Sequence, residues 1–269
     1  MRYGSNRVLF ALLLVVCRIT TWAQKDTAAT PSEITSNQIG FEIGINKGYF
    51  KDLNFSSLNY REGGTLFSLN YIRWKPDRQH MFTADVDFAS GKMKSDVTEF
   101  FDAQHILGNI ELSFLWQLRL MENRNLSFFL GPQYNSFIQY VDWNDQSGWS
   151  YLATHGLNIK GFVRYKASRR SFETSLSIPL VQVFVRPPYN GYDLFIQENS
   201  EDVFKIIFRG ELASFNEYVA VDWKTVYRYA ASNHVDFVFG YLFRYQGVSG
   251  YNKVTHFQNQ LTFGFAIKF

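Results

Sequence analysis

The stretch whose reading decides the fold is "QLTFGFAIKF", residues 260–269. Leu261, Phe263, Phe265, Ile267 and Phe269 fall on one parity. Gln260, Thr262, Gly264, Ala266 and Lys268 fall on the other. Successive side chains of a β-strand point to opposite faces, so this segment is a strand with one greasy side and one polar side. The segment "VDFVFGYLFRY" repeats the pattern, with Val235, Phe237, Phe239, Tyr241, Phe243 and Tyr245 against Asp236, Gly240 and Arg244. So does "ILGNIELSFLWQLRL", with Ile106, Ile110, Leu112, Phe114, Trp116, Leu118 and Leu120 against Asn109, Glu111, Ser113, Gln117 and Arg119.

Ten such segments are expected, near 38–49, 64–74, 81–92, 104–120, 126–141, 150–165, 171–184, 217–229, 234–246 and 257–269. Short polar links ("KPDRQ", "MENRN", "KASRR", "AASN") alternate with longer ones at 50–63, 93–103, 142–149, 185–216 and 247–256. A meander whose two ends face different compartments behaves this way, and bacterial outer-membrane barrels have short periplasmic turns and longer extracellular loops. The expected fold is therefore all-β: one transmembrane, antiparallel, up-and-down barrel of ten strands. Twelve is the alternative, because "LNFSSLNY" (53–60) and "VFKIIFRGEL" (203–212) also look strand-like. Ten strands keep the short turns and both chain ends on one side. The two extra stretches then read as hairpin extensions beyond the membrane, with "REGG" (61–64) as a turn tip.

The apolar parity carries no charge in the middle of any expected strand. A charge facing lipid at the bilayer midplane costs roughly 2–4 kcal/mol, so that absence points to lipid contact. Aromatics recur near strand ends (Tyr49, Trp74, Tyr140, Trp143, Tyr151, Tyr165, Tyr229, Tyr245 and Phe269), where interfacial girdles are expected. The competing reading is a soluble β-sandwich or a lipocalin-like barrel, whose strands are usually five or six residues long and whose links need not alternate by length. The mean hydropathy of −0.19 is compatible with either, because alternation averages out.

The N-terminus "MRYGSNRVLFALLLVVCRITTWAQ" has a basic start, an apolar run from Val8 to Cys17 and Ala23 before Gln24. It reads as a secretory signal peptide over 1–23, followed by a flexible periplasmic leader over 24–36 and the barrel over 37–269. Removing Arg2, Arg7 and Arg18 takes the formal charge from +3 to zero, so no basic surface for nucleic acid remains to be explained. Cys17 is the one cysteine, and it either leaves with the signal peptide or becomes a lipid anchor; an exported chain without it has no disulfides or thiolate chemistry.

The last strand resembles the C-terminal β-signal of bacterial outer-membrane barrels, in which alternating apolar residues end on an aromatic. Leu261, Phe263, Phe265, Ile267 and Phe269 carry that resemblance. It implies an outer membrane of a Gram-negative bacterium, export by the Sec route, and recognition by the barrel assembly machinery. Lipid and lipopolysaccharide are the implied surroundings. "FLGPQY" (129–134) and a mature start at Gln24 resemble barrels of Bacteroidota.

The polar parity points into the lumen. It holds Glu42, Asp85, Asp87, Glu111, Glu173, Asp222 and Asp236 against Arg119, Lys160, Arg164, Lys224, Arg228, Arg244 and Lys268, a near-neutral ion-pair network. Arg164 is expected to meet Glu173, and Arg228 to meet Asp236, across short turns. Asp85 and Asp87 lie on the strand beside Arg119. Leu107, Leu115, Phe129, Phe137, Phe162, Val226, Val238 and Leu242 add bulk. About eight strands give an interior just filled by side chains, so ten strands with these residues leave a narrow or blocked passage. Pro179, inside a strand, marks a bulge.

No enzyme motif stands out. No His is followed two residues later by Ser, as in outer-membrane phospholipases and lipid A deacylases, and no His-x-x-x-His pair or phosphate-cradling glycine loop occurs. Ten-stranded omptin proteases place acids and an Asp–His pair at the outer rim; Asp102 with His105, and His256 across the mouth, match part of that. His155 has outward parity, which suits a rim position. No cofactor or metal is expected. The leading expectation is a non-enzymatic barrel with a plugged lumen, acting as a scaffold or through its outer loops in binding or adhesion. Tyr189, Tyr192 and Phe195 in the longest link are candidate recognition rings, or the link's own packing. A narrow solute channel or export component is the alternative, and a rim lipase or protease the third reading.

Overall fold

The computed structural model describes residues 37–53, 57–75, 79–95, 97, 103–118, 125–143, 148–186, 201–202, 208, 210–214, 217–249 and 253–269. The signal peptide, the leader, Cys17, Asp102, Arg119 and the rings at 189–195 lie outside them. Among the described residues ten long strands form one closed antiparallel sheet: β1 (Asn37–Asp52), β2 (Tyr60–Lys75), β3 (His80–Ser95), β4 (Ala103–Leu118), β5 (Leu126–Trp143), β6 (Gly148–Ala167), β7 (Arg170–Val185), β9 (Tyr218–Ala230), β10 (Val235–Val248) and β11 (Val254–Lys268). A three-residue strand, β8 (Glu211–Ala213), pairs with the end of β7.

Neighbours in sequence are neighbours in space, and β1 pairs with β11 to shut the cylinder. The terminal Phe269 is part of that closure. Its N–H donates to the carbonyl of Asn37 at 3.0 Å, and the Asn37 N–H donates back at 3.3 Å. At the end that carries both chain termini the links are tight. Ser168, in the two-residue link after β6, has φ of 51°, and Gln79, just before β3, has φ of 54°. That left-handed backbone reverses a strand in very few residues.

Strand length sets the height of the barrel. Sixteen residues at about 3.3 Å each, tilted by roughly 40°, rise about 40 Å, against an apolar band of about 25 Å. Both requirements are visible on the outside. Ile39, Phe41, Ile43 and Ile45 of β1, Phe67 and Leu69 of β2, Val86 and Phe88 of β3, and Leu261, Phe263, Phe265 and Ile267 of β11 are all 41–55% exposed. Buried side chains sit on the opposite parity, inside. This is a membrane-spanning barrel, greasy side outward.

"REGG" is not a turn tip. β2 begins at Tyr60, so Arg61–Gly64 lie inside the strand and pair with both β1 and β3. Trp74 and Trp143 are not girdle residues either. Trp74 stands edge-on to Phe129 inside the lumen, and Trp143 is 3% exposed against Tyr60. Each shares parity with the buried set of its own strand, and parity outweighs nearness to a strand end. Pro179 does mark a bulge. The β6–β7 register shifts there, and Leu180 and Val181 both face outward in succession, 47% and 39% exposed. Of 203–212, the described part holds only the short β8.

Candidate functional site

The chemistry of this molecule is concentrated in the lumen, where side chains from facing strands meet in three layers. In the layer nearest the termini, Arg164 of β6 donates from Nε to Glu173 Oε1 at 2.9 Å. Arg228 of β9 donates from Nε to the other carboxylate oxygen at 3.1 Å. One buried acid is thus shared by two guanidinium groups on the flanking strands. The Arg164 guanidinium also lies 5.4 Å from the centre of the Trp74 ring and 5.6 Å from that of Phe162, a desolvated cation–π arrangement. Met81, Leu115, Phe129 and Phe162 pack around it.

The middle layer spans the bore. Lys224 of β9 reaches Asp85 of β3 at 2.9 Å. Arg244 of β10 bonds Asp222 of β9 at 2.9 Å and Glu111 of β4 at 3.2 Å. Lys160 of β6 approaches the second oxygen of Glu111 at 3.4 Å. Neutral groups complete the coordination: Asn109 and Gln133 donate to Glu111 at 3.0 and 2.6 Å, Ser68 to Asp87 at 2.6 Å, and Asn70 to Glu42 at 2.8 Å. Charges removed from water need such partners, because desolvating an unpaired one costs several kcal/mol. Beside the bulge at Pro179, a cavity of about 10 Å³ lined by Asn158, Ser177, Gln182, Tyr218 and Gln246 has room for about one water.

The layer farthest from the termini is organised by Glu62. Its Oε2 lies 3.0 Å from His256 Nε2 and 4.0 Å from His105 Nδ1, while Gln258 and Asn46 donate to its Oε1 at 2.8 and 3.2 Å. Phe50 stands edge-on to His256, and Tyr60 to Trp143, in an apolar cluster with Leu66, Phe137 and Val141. Both histidines are fully buried. No group of three His, Cys, Asp or Glu among the described residues is arranged to hold a metal ion.

Thirteen of the fourteen expected network residues lie on the inner wall, and Arg119 is outside the described residues. Arg164 meets Glu173 as expected. Arg228 does not meet Asp236: it turns to Glu173, and Asp236 instead takes Lys268 at 2.6 Å and Gln38 at 3.3 Å. Asp236 lies opposite Ala266 on β11, which puts it within reach of the Lys268 ammonium. Asp85 is served from across the bore by Lys224. Glu62 is not among the expected lumen residues, because "REGG" reads as a turn by composition. The signal for it was the unbroken alternation Tyr60, Glu62, Gly64, Leu66. His155 keeps its outward parity yet is 4% exposed, hydrogen-bonded to Ser136 at 2.9 Å and covered by the Phe208 ring at 4.7 Å.

No protein-family model matches the chain, and no curated protein matches it. Solved structures do. The outer membrane protease OmpT from Escherichia coli overlays with a TM-score of 0.54, covering 91% of this chain and 99% of that one at 9% identity. Neisserial surface protein A gives 0.39, with 87% and 98% covered at 13% identity. The attachment invasion locus protein Ail of Yersinia pestis gives 0.33, with 86% and 99% covered at 10% identity. At such identity the OmpT likeness is one of fold: a closed antiparallel barrel.

Proposed function

We propose that this is an outer-membrane barrel of a Gram-negative bacterium whose lumen is sealed by its own side chains, and which acts as a scaffold or through its outer surface in binding or adhesion. The signal-like N-terminus and the C-terminal β-signal fit export and delivery to the barrel assembly machinery. With the termini in the periplasm, the Glu62 layer and the 186–217 link face outward from the cell. The observation that carries the reading is the set of ion pairs spanning the bore, Lys224–Asp85 and Arg244–Glu111, capped on both sides by aromatic clusters.

Single-channel recording in planar bilayers tests it. The wild-type barrel should show no stable conductance. A large, steady open level from wild type overturns the proposal. For the hydrolase reading, the full burial of His105 and His256 counts against a rim site. Esterase and protease assays on the refolded barrel should therefore find no turnover that depends on either histidine.

A further inference from the structure

Above the apolar belt, on the flank formed by β1, β2 and β3, the outer wall turns strongly basic. The registers of β1, β2 and β3 place Lys47, Gly63 and Lys92 in one row, and Tyr49, Arg61 and Lys94 in the next row away from the termini. Lys47, Arg61, Lys92 and Lys94 are exposed, and Lys51 and Lys253 border them on the β1–β11 side. The outward parity of β1, β2 and β3 carries no acid over their whole length. Among the described residues, exposed acids at this end of the barrel stand on β5 (Asp142), on β8 (Glu211) and before β9 (Glu217).

Gly63 makes the cluster a notch. A Cβ at this position would come no nearer than 4.0 Å to any atom, so packing does not demand glycine, and no positive φ demands it either. What the missing side chain does is leave a gap between Lys47 and Lys92, whose backbones stand two strand spacings apart, about 10 Å. Five long or aromatic side chains surround that gap.

Depth supplies the ligand class. Toward the termini, the row of Ile45, Thr65 and Ser90 offers hydroxyls, and the row of Ile43, Phe67 and Phe88 is fully apolar and 41–48% exposed. Passing outward, the wall presents hydrocarbon, then hydroxyl, then ammonium and guanidinium. That is the profile of a lipid whose acyl chains lie on the belt and whose phosphate sits at its upper edge. Guanidinium and ammonium groups bind phosphate oxygens by charge-assisted hydrogen bonds.

We propose that Lys47, Arg61, Lys92 and Lys94 around the Gly63 notch bind the phosphate of an outer-leaflet glycolipid such as lipopolysaccharide. The inference rests on the outer-membrane placement above, but not on the sealed lumen. Its test is binding rather than conductance, so the two can fail separately.

The full chain, refolded in detergent, is titrated with a phosphorylated lipid A-type glycolipid, the same glycolipid dephosphorylated, and inorganic phosphate, with native mass spectrometry as the readout. Saturable binding of the phosphorylated glycolipid alone is expected. Lys47→Ala with Lys92→Ala should weaken it roughly tenfold or more. Gly63→Leu keeps every charge and fills the notch, and should weaken it several-fold, while Arg73→Ala at the opposite end of β2 should change nothing. Heat-modifiable migration on gels confirms that each variant is folded. Equal binding of the dephosphorylated glycolipid, equally tight inorganic phosphate, or folded notch variants that bind like wild type would each overturn the proposal.

Discussion

The barrel has two seams where strands distant in sequence must meet, and they are unequal. At the terminal seam, β1 and β11 pair without a break from Gln38–Lys268 to Asp52–Val254. At the internal seam, β7 and β9 pair only from Arg170–Tyr229 to Ser177–Asp222. Beyond Ser177 the bulge at Pro179 intervenes, and β7 takes the short β8 instead, at Gln182–Phe184. Between them, residues 178–181 of β7 pair with neither β8 nor β9. The seam between chain ends is thus the continuous one, and the interruption falls inside the chain, at its longest link. Alternation without a glitch on both β1 and β11 allows a full ladder. One extra residue and one absent N–H spoil it on β7.

The comparison can be broken first at the terminal seam. Gly264 of β11 and Gly44 of β1 each lie so close to the facing backbone that a Cβ would come within 2.0 Å of a carbonyl oxygen, Phe41 O and Leu261 O respectively. Gly264→Leu should therefore prevent closure altogether, seen as loss of the heat-modifiable folded band. A normally folded Gly264→Leu barrel would show that the two strands have slack.

Next in size is the cross-bore network, which joins β9 and β10 to β3 and β4. Arg244→Ala strips Asp222 and Glu111 of their shared guanidinium. Removing one partner of a buried pair costs about 3–5 kcal/mol, so urea unfolding in detergent should shift by that order. A change under about 1 kcal/mol would mean that water already solvates the pair.

Hydrogen exchange sharpens the contrast between the seams. Amides of Ile178, Leu180 and Val181 and those of 218–221 should exchange at least about tenfold faster than those of 41–45 and 261–265, because local openings follow missing ladder bonds. Equal protection at both seams would erase the distinction. The smallest effect is expected from deleting Leu180, which removes the extra residue while leaving Pro179 and Gln182 on the inward parity. Stability should change by no more than about 1 kcal/mol, with slower exchange at 178–181. Unchanged exchange would locate the interruption in the following link rather than in the bulge.

Much of this was legible along the chain. All ten long strands, the inward and outward sets, the bulge at Pro179 and the Arg164–Glu173 pair follow from local alternation and short turns. Where the structure differs, one cause recurs. "REGG" looked like a turn by composition, which hid Glu62, and Trp74 and Trp143 looked interfacial by position. In each case the two-residue period of the strand overrode the local cue. The short turn between their strands predicts Arg228 beside Asp236. The other flanking strand, β7, offered it Glu173 instead.

The sequence alone determined which side chains meet lipid and which meet the axis, because a strand's faces follow from a period of two and need no knowledge of the partner. Only the tertiary structure decided who meets whom across the bore: Lys224 with Asp85, Arg244 with Glu111, His105 and His256 with Glu62. Those distances depend on strand number, tilt and stagger once the sheet closes, and these are properties of the whole ring rather than of any one segment.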